Sequence, residues 1–378
     1  MSFGTVNADV IGTSVAGSNI GAGNASIMKN RIINGAMVID QRNAGASVTP
    51  ADGQYTLDRW VAFQSASGKY SVQQNAGSVT APVGFSNYLG VTSLSAYSVG
   101  STDYNLIQQP IEGFNTADLM WGSSDAKPIC LSFWVRSSLT GTFGGSLVNS
   151  SNNRSYPYSY TISSANTWEQ KSITVAGDTS GTWVGATNGV GLKVNFGIGV
   201  GTTYSGTAGA WAGSQYFTAT GATSVVGTSG ATFYITGVQL EIGEQATGFQ
   251  YENYQTSLAN CQRYFYSNVM YSTTSNQYPF IGLGIVQGGN STGNLETGII
   301  YPVTMRVNPT ITIPVVSNGY QAFNGSGSGI IINGSGASLY QNGSNCCSVR
   351  WNFGTASSYG SIVWGNTTGA GITASAEL

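Results

Sequence analysis

Residues 129–136 read ICLSFWVR, with Ile129, Leu131, Phe133 and Val135 on one side of an extended chain and Cys130, Ser132, Trp134 and Arg136 on the other. A period of two built from branched and aromatic residues is a strand with one face in a core and the other half-polar. Working outward, short runs of the same kind are bounded by Gly, Asn and Ser. On the N-terminal side they are RIINGAMVIDQ (31–41), YTLDRWVAFQ (55–64), KYSVQQ (69–74), NYLGVTSLS (87–95) and YNLIQQPI (104–111). On the C-terminal side follow SYPYSYTIS (155–163), TWEQKSITVAG (167–177), GLKVNFGIGV (191–200) and ATFYITGVQLEIGE (231–244). Many short strands with turn residues between them predict an all-β jelly-roll sandwich over residues 29–252.

The composition agrees. Only 13 Lys+Arg and 15 Asp+Glu occur in 378 residues, while Gly reaches 53 and aromatics 11%. Polarity comes from Gly, Ser, Thr and Asn, which suit turns and sheet edges and deprive helices of their best surface formers. Hydrophobic content of 41% is enough to fold, so disorder is rejected. There is no histidine, which removes Ser-His-Asp and Cys-His triads, His-ligated metals and imidazole switches. A net charge of -2 gives neither the basic patch that nucleic acid requires nor a polybasic face for lipid, and no run of 18 apolar residues predicts membrane insertion. The N-terminus lacks a Sec-type signal pattern, so a soluble chain is expected. Cys130, Cys261, Cys346 and Cys347 have no C-x-x-C spacing and read as reduced packing residues.

Residues 1–28 are small and polar without a sustained period, and read as an extended arm ordered by a partner. Residues 253–266 are a connector with a short helix over Tyr254–Tyr264, which Ser257 is placed to cap. Between Tyr266 and Leu378 the charged residues are Glu296, Arg306, Arg350 and Glu377. That change of character predicts a second β-sandwich over 267–378. Its strands are FIGLGIVQ, GIIYPVTM, PTITIPVVS, GIIING, CSVRWNF and SIVWG, and Trp351 and Trp364 alternate into its core. Val194 to Leu240 is free of charge and contains a Gly-rich loop around 200–230, long enough to be functional. In the last strand of the first sandwich, Tyr234, Val238, Leu240 and Ile242 are expected on one face, and Phe233, Ile235, Gln239 and Glu241 on the other.

Several segments carry a resemblance. NRIINGAMVIDQRN (30–43), YTLDRW (55–60), GVQLEIGEQATGFQYENY (237–254), LANCQRYFYS (258–267) and YPVTMRVNPTIT (301–312) look like signatures of bacteriophage tail-fibre proteins. The resemblance implies a jelly roll similar to carbohydrate-binding modules in a non-enzymatic virion appendage, commonly trimeric and assembled in the host cytoplasm. Its arm would join other virion proteins, and its distal part would meet a host-surface glycan or envelope receptor. Many such jelly rolls carry acidic residues before the last core strand; here Thr236 and Gly237 stand there, so the resemblance does not carry over a structural calcium of that type. A capsid-decorating or tail structural protein and a tailspike-type depolymerase are the alternatives.

Receptor candidates follow from position and from aromatic chemistry. Tyr320, Phe323 and Tyr340 lie near predicted turns of the distal domain, where rings stack on sugar faces without any charge. A competing groove would use Tyr156, Tyr158 and Tyr160, which share one strand face across roughly 13 Å, together with Trp134 and Arg136; packing is the other reading of both sets. Trp168 reads as core and Asp52 as a turn residue. Carboxylates are the remaining catalytic groups, and Glu241 with Glu244, Asp103 with Glu112, and Asp118 with Asp125 have no spacing that singles them out among 15 acids. No cofactor or catalytic residue is assigned.

Overall fold

The computed structural model of the chain describes residues 29–269, 280–286, 294–323, 329–332, 337–352, 362–365 and 370–378. Residues 1–28, expected to be an arm, lie outside them. Two units divide between Ser257 and Leu258, inside the connector.

In the first unit the strands are β1 (Gln54–Leu57), β2 (Trp60–Gln64), β3 (Tyr70–Gln74), β4 (Leu89–Ser93), β5 (Tyr104–Glu112), β6 (Ile129–Ser137) and β7 (Gly141–Val148). They continue with β8 (Ser155–Ile162), β9 (Glu169–Val175), β10 (Val190–Val200), β11 (Ser205–Gly206), β12 (Thr218–Ala219) and β13 (Thr232–Ile242). Two antiparallel sheets form, a six-stranded one ordered β1-β2-β5-β10-β7-β8 and a five-stranded one ordered β3-β4-β13-β6-β9. Their inner faces meet in one core, because each strand turns its apolar alternate residues inward. Ile129, Leu131, Phe133 and Val135 of β6 are all fully buried there, facing Ile107 of β5 and Leu192, Val194, Phe196 and Ile198 of β10. Phe133 stands edge-on to both Tyr160 and Phe196 at 5.0 Å between ring centroids.

The structure departs from the sequence reading at two segments and adds a strand between 137 and 155. RIINGAMVIDQ is a turn-containing segment, not a strand: Asn34, in left-handed backbone, spans Ile39 with both ends of its carboxamide, accepting from its N–H at 3.0 Å and donating to its carbonyl at 2.8 Å. β7 is a strand despite three glycines in eight residues. In β13 the pairing with β6 slips between Thr236 and Gln239, so one extra residue is inserted, and Gly237 takes a φ of +60°. Phe233 and Ile235 before the bulge therefore share the core face with Val238 and Leu240 after it.

The segments that start and end this unit are stitched together. Asn30 donates its backbone N–H to Gln250 Oε1 at 2.7 Å and accepts at Oδ1 from the N–H of Leu240 at 3.0 Å. Gln239 Oε1 accepts from the N–H of Gln250 at 2.8 Å, and buried Glu241 accepts from the N–H and hydroxyl of Thr247 at 2.8 and 2.6 Å.

Helix α1 (Tyr254–Gln262) is shorter than expected, and its cap is Asn253, whose Oδ1 accepts from the N–H of Thr256 at 2.9 Å; Ser257 instead donates to Glu252. The second unit contains β14 (Phe265–Ser267), β15 (Phe280–Val286), β16 (Asn294–Ile300), β17 (Thr310–Thr312), β18 (Tyr320–Phe323), β19 (Gly329–Ile332), β20 (Ala337–Asn342), β21 (Cys346–Asn352), β22 (Ile362–Gly365) and β23 (Thr373–Ser375). A seven-stranded sheet, β19-β18-β22-β15-β16-β21-β20, and a three-stranded one, β14-β23-β17, make a second sandwich. Its core holds Ile299, Tyr301, Met305, Tyr320, Val349, Trp351, Ile372 and Ala374, and Trp351 donates to Thr297 Oγ1 at 2.8 Å. Cys130, Cys261 and Cys347 are buried and Cys346 is exposed.

Candidate functional site

On β5 the residues that do not face the core are Tyr104, Leu106, Gln108 and Pro110, since Ile107 and Ile111 belong to it. Register carries that outer face across the six-stranded sheet: Leu106 pairs with Phe63 of β2, Gln108 with Asn195 of β10, and Pro110 with Lys193. A groove of about 470 Å³ lies on this face. Its floor includes Leu106, Gln108 and Pro110; Phe63 and Asp52 stand on one flank, and the Gly-rich loop contributes Tyr204, Gln215 and Phe217.

The loop reaches the sheet because the sheet is bare where it lands. β11 and β12 pair in parallel within the loop, and Thr218 lies over Gly144 and Gly197. A Cβ on Gly197 would come within 2.8 Å of Thr218 Oγ1. This is the packing reason for small residues in β7 and β10.

The two ends of the groove differ. At one end Tyr104, Tyr204 and Phe217 form an aromatic cluster, with ring centroids 5.9 Å apart for Tyr104 and Tyr204, 5.7 Å for Tyr104 and Phe217, and 5.2 Å for Tyr204 and Phe217. Asp52 is beside them, accepting from the N–H of Gln64 at 2.9 Å. Burial first, then the Asp52 carboxylate, holds the Tyr104 hydroxyl above its ordinary pKa. At the other end, Lys193 Nζ donates to Asn152 Oδ1 at 2.7 Å and to the Ser150 carbonyl at 3.2 Å, and burial pushes its ammonium below the ordinary pKa. From Tyr104 to Pro110 the strand runs about 20 Å. Between the ends a ladder of polar side chains crosses the sheet: Gln108 Nε2 donates to Asn195 Oδ1 at 2.7 Å, and Asn195 Nδ2 donates to Ser146 Oγ at 3.0 Å.

The residues singled out by sequence fall elsewhere. Tyr156, Tyr158 and Tyr160 do share a face, but it is the inner one, and all three are buried. Tyr158 donates to the Asn195 carbonyl at 2.7 Å from the core side. Trp134 and Arg136 are on the outer face of the other sheet. There Arg136 lies 5.6 Å over the Tyr234 ring and donates to the Asn166 carbonyl at 3.0 Å. The two sets therefore form no common groove. Trp168 packs in the same outer layer, 5.5 Å from Tyr88, outside the core between the sheets. Tyr320 opens a strand rather than a turn; it is 0% exposed, 4.9 Å from Trp351, and donates to the carbonyls of Pro314 and Gly371 at 2.8 and 3.0 Å. Phe323 ends β18, with its side chain outside the described residues. Tyr340 is 47% exposed on β20, with the Arg350 guanidinium 4.0 Å from its ring and bound to Glu296 at 2.6 Å.

Among the carboxylate pairs, Asp103 and Glu112 bracket β5 about 30 Å apart, Asp118 pairs with Arg31 at 2.6 Å, and Glu241 is enclosed with Thr247. Among the described residues no group of three or more metal-ligating side chains occurs. Asp52 does occupy a turn as expected, but its place at the groove, like those of Tyr104, Lys193, Tyr204 and Phe217, was not evident from sequence. The one signal was the charge-free Gly-rich loop.

No family model matches the sequence, and no curated protein matches it. Among solved structures, the chain is similar to the enzymatically active domain of tailspike protein 4 of bacteriophage CBA120, with 12% identity over 57% of this chain and a TM-score of 0.32. It spans 21% of that protein's length. It is also similar to the family 11 carbohydrate-binding module of Clostridium thermocellum in complex with a β-1,3-1,4-mixed-linked tetrasaccharide, with 13% identity, 53% of this chain, 98% of that chain and a TM-score of 0.27. A third is the CBM22-1–CBM22-2 tandem domain of Paenibacillus barcinonensis Xyn10C, with 9% identity, 89% of this chain, 97% of that chain and a TM-score of 0.24. These are distant likenesses.

Proposed function

We propose that this chain is a non-enzymatic virion appendage of a bacteriophage that binds a host-surface glycan in the groove of its six-stranded sheet. The observation that carries the reading is the groove itself: a cleft of about 470 Å³ with rings at one end and amides and an ammonium along the rest. Aromatic faces take the apolar side of a sugar ring while amides and hydroxyls take its hydroxyls, and such a site needs little charge. The resemblance of the segments at 30–43 and 237–254 to tail-fibre signatures supports the virion setting. In this reading the arm at 1–28 joins other virion proteins, and a homotrimer multiplies weak contacts by avidity, by about 10²-fold or more.

The test is an oligosaccharide array probed with the purified chain, together with immunogold labelling of the phage. Binding on the array and label on an appendage support the proposal. A chain that binds no oligosaccharide, or that labels only the capsid surface, contradicts it. A second reading puts the contact on the seven-stranded sheet, favoured by exposed Tyr340 under Arg350.

A further inference from the structure

The groove carries an ammonium held by neutral hydrogen-bond partners. Lys193 is half-buried on the groove lining, and its two hydrogen-bond partners, Asn152 Oδ1 and the Ser150 carbonyl, are both neutral. An ammonium has three donors, so one is left for a ligand. No ion pair to Lys193 occurs among the described residues. The loop that walls the groove adds no charge, since 194–240 contains none. Among the described residues the other charged side chain on the lining is Asp52, which flanks Tyr104 at the aromatic end. One end of the groove thus favours an anion and the other disfavours it.

Resting on the reading of this groove as a glycan site, we infer that its ligand is an acidic glycan, with an anionic oxygen group on one sugar placed at Lys193 and neutral sugars running toward Tyr104. Desolvation of the ammonium, which lowers its pKa, is a cost. A ligand anion offsets it, because a charge-assisted hydrogen bond in a partly dry site is stronger than one between neutral groups. The Asp52 carboxylate sets the direction: an anion at the aromatic end meets like charge, whereas a sugar hydroxyl there finds an acceptor. Carboxylate, sulfate and phosphate substituents share this chemistry, and the probes below separate the first two.

The full chain is titrated with hexasaccharides of oligogalacturonate, oligoalginate and chondroitin sulfate, each beside its carboxyl-reduced or desulfated counterpart. At least one acidic member should bind at least about tenfold more tightly than its neutralised counterpart. Lys193→Met should abolish the preference, Lys193→Arg should retain it, and both variants should melt within a few degrees of the wild type. Loss of preference on carboxyl reduction identifies a carboxylate, and loss on desulfation a sulfate. Neutral members bound as tightly as acidic ones, or a preference that survives Lys193→Met, overturns the inference. If that neutral binding is lost in Tyr104→Ala, the groove still stands as a glycan site. Binding of none of these hexasaccharides overturns the acidic-glycan inference, and silence across the wider array overturns the glycan site as well.

Discussion

The ring of Tyr104 on β5 meets the ring of Phe217, just before β12, at 5.7 Å and an interplanar angle of 60°. This contact ties the sheet to the loop that walls the groove, and Tyr204 closes the triangle. Removing the Phe217 ring takes away two aromatic contacts of roughly 0.5–1.5 kcal/mol each, beyond the area it buries. Phe217→Ala should therefore raise amide exchange across 201–217 while leaving the exchange of β6 and β10 unchanged. Hydrogen exchange read by mass spectrometry checks this.

The loop also depends on the absence of a side chain beneath it. A Cβ at Gly197 lies 2.8 Å from Thr218 Oγ1 and 2.9 Å from Thr218 Cβ, closer than packed atoms tolerate. Gly197→Val should lift β12 from the sheet at a cost of about 1–3 kcal/mol. Glycan affinity should fall with it, and urea denaturation alongside binding measures both.

Stability of the first unit rests on its aromatic core. Phe133 is fully buried between Tyr160 and Phe196. Phe133→Ala should cost about 3–5 kcal/mol, the range for losing a large buried ring. Denaturant unfolding followed by tryptophan fluorescence gives the value.

Asp103 supplies a pH dependence. Its carboxylate accepts from the Tyr97 hydroxyl and the N–H of Gly100, both at 2.7 Å, and from Ser65 at 2.9 Å. These bonds, Tyr97 first, hold its pKa below the ordinary value. The stability they contribute is present above the unfolded pKa of about 3.9 and lost as the pH falls through the lower native one. Asp103→Asn should melt at a lower temperature than the wild type at pH 7, and the gap should close as the pH drops below about 4. Melting curves across pH decide it.

Alternation made the sandwich legible where strands were regular, as in ICLSFWVR, whose four core residues are those read from sequence. It failed where a residue was inserted. The bulge at Thr236–Gln239 moves Val238 and Leu240 onto the face of Phe233 and Ile235, a shift that no periodicity reveals. β7 carries no alternation to read, since Gly141, Gly144 and Gly145 interrupt it, and Gly144 is small to let Thr218 approach. Tyr156, Tyr158 and Tyr160 were correctly grouped, but alternation does not say which face is inner. Tyr320 looked exposed because a turn precedes it, yet its ring covers Trp351. The groove was the least legible feature: Phe63, Tyr104, Lys193 and Phe217 come from four separated stretches that only the pairing of β2, β5 and β10 and the fold of the loop bring together.

The central claim is that the groove on the six-stranded sheet holds the glycan. Its most direct test is calorimetric titration of the best-bound oligosaccharide into the wild type, Tyr104→Ala and Tyr340→Ala. Loss of a stacking ring should weaken binding about tenfold or more in Tyr104→Ala and leave Tyr340→Ala at wild-type affinity. Undiminished binding by Tyr104→Ala with loss in Tyr340→Ala would contradict the account and move the site to the seven-stranded sheet.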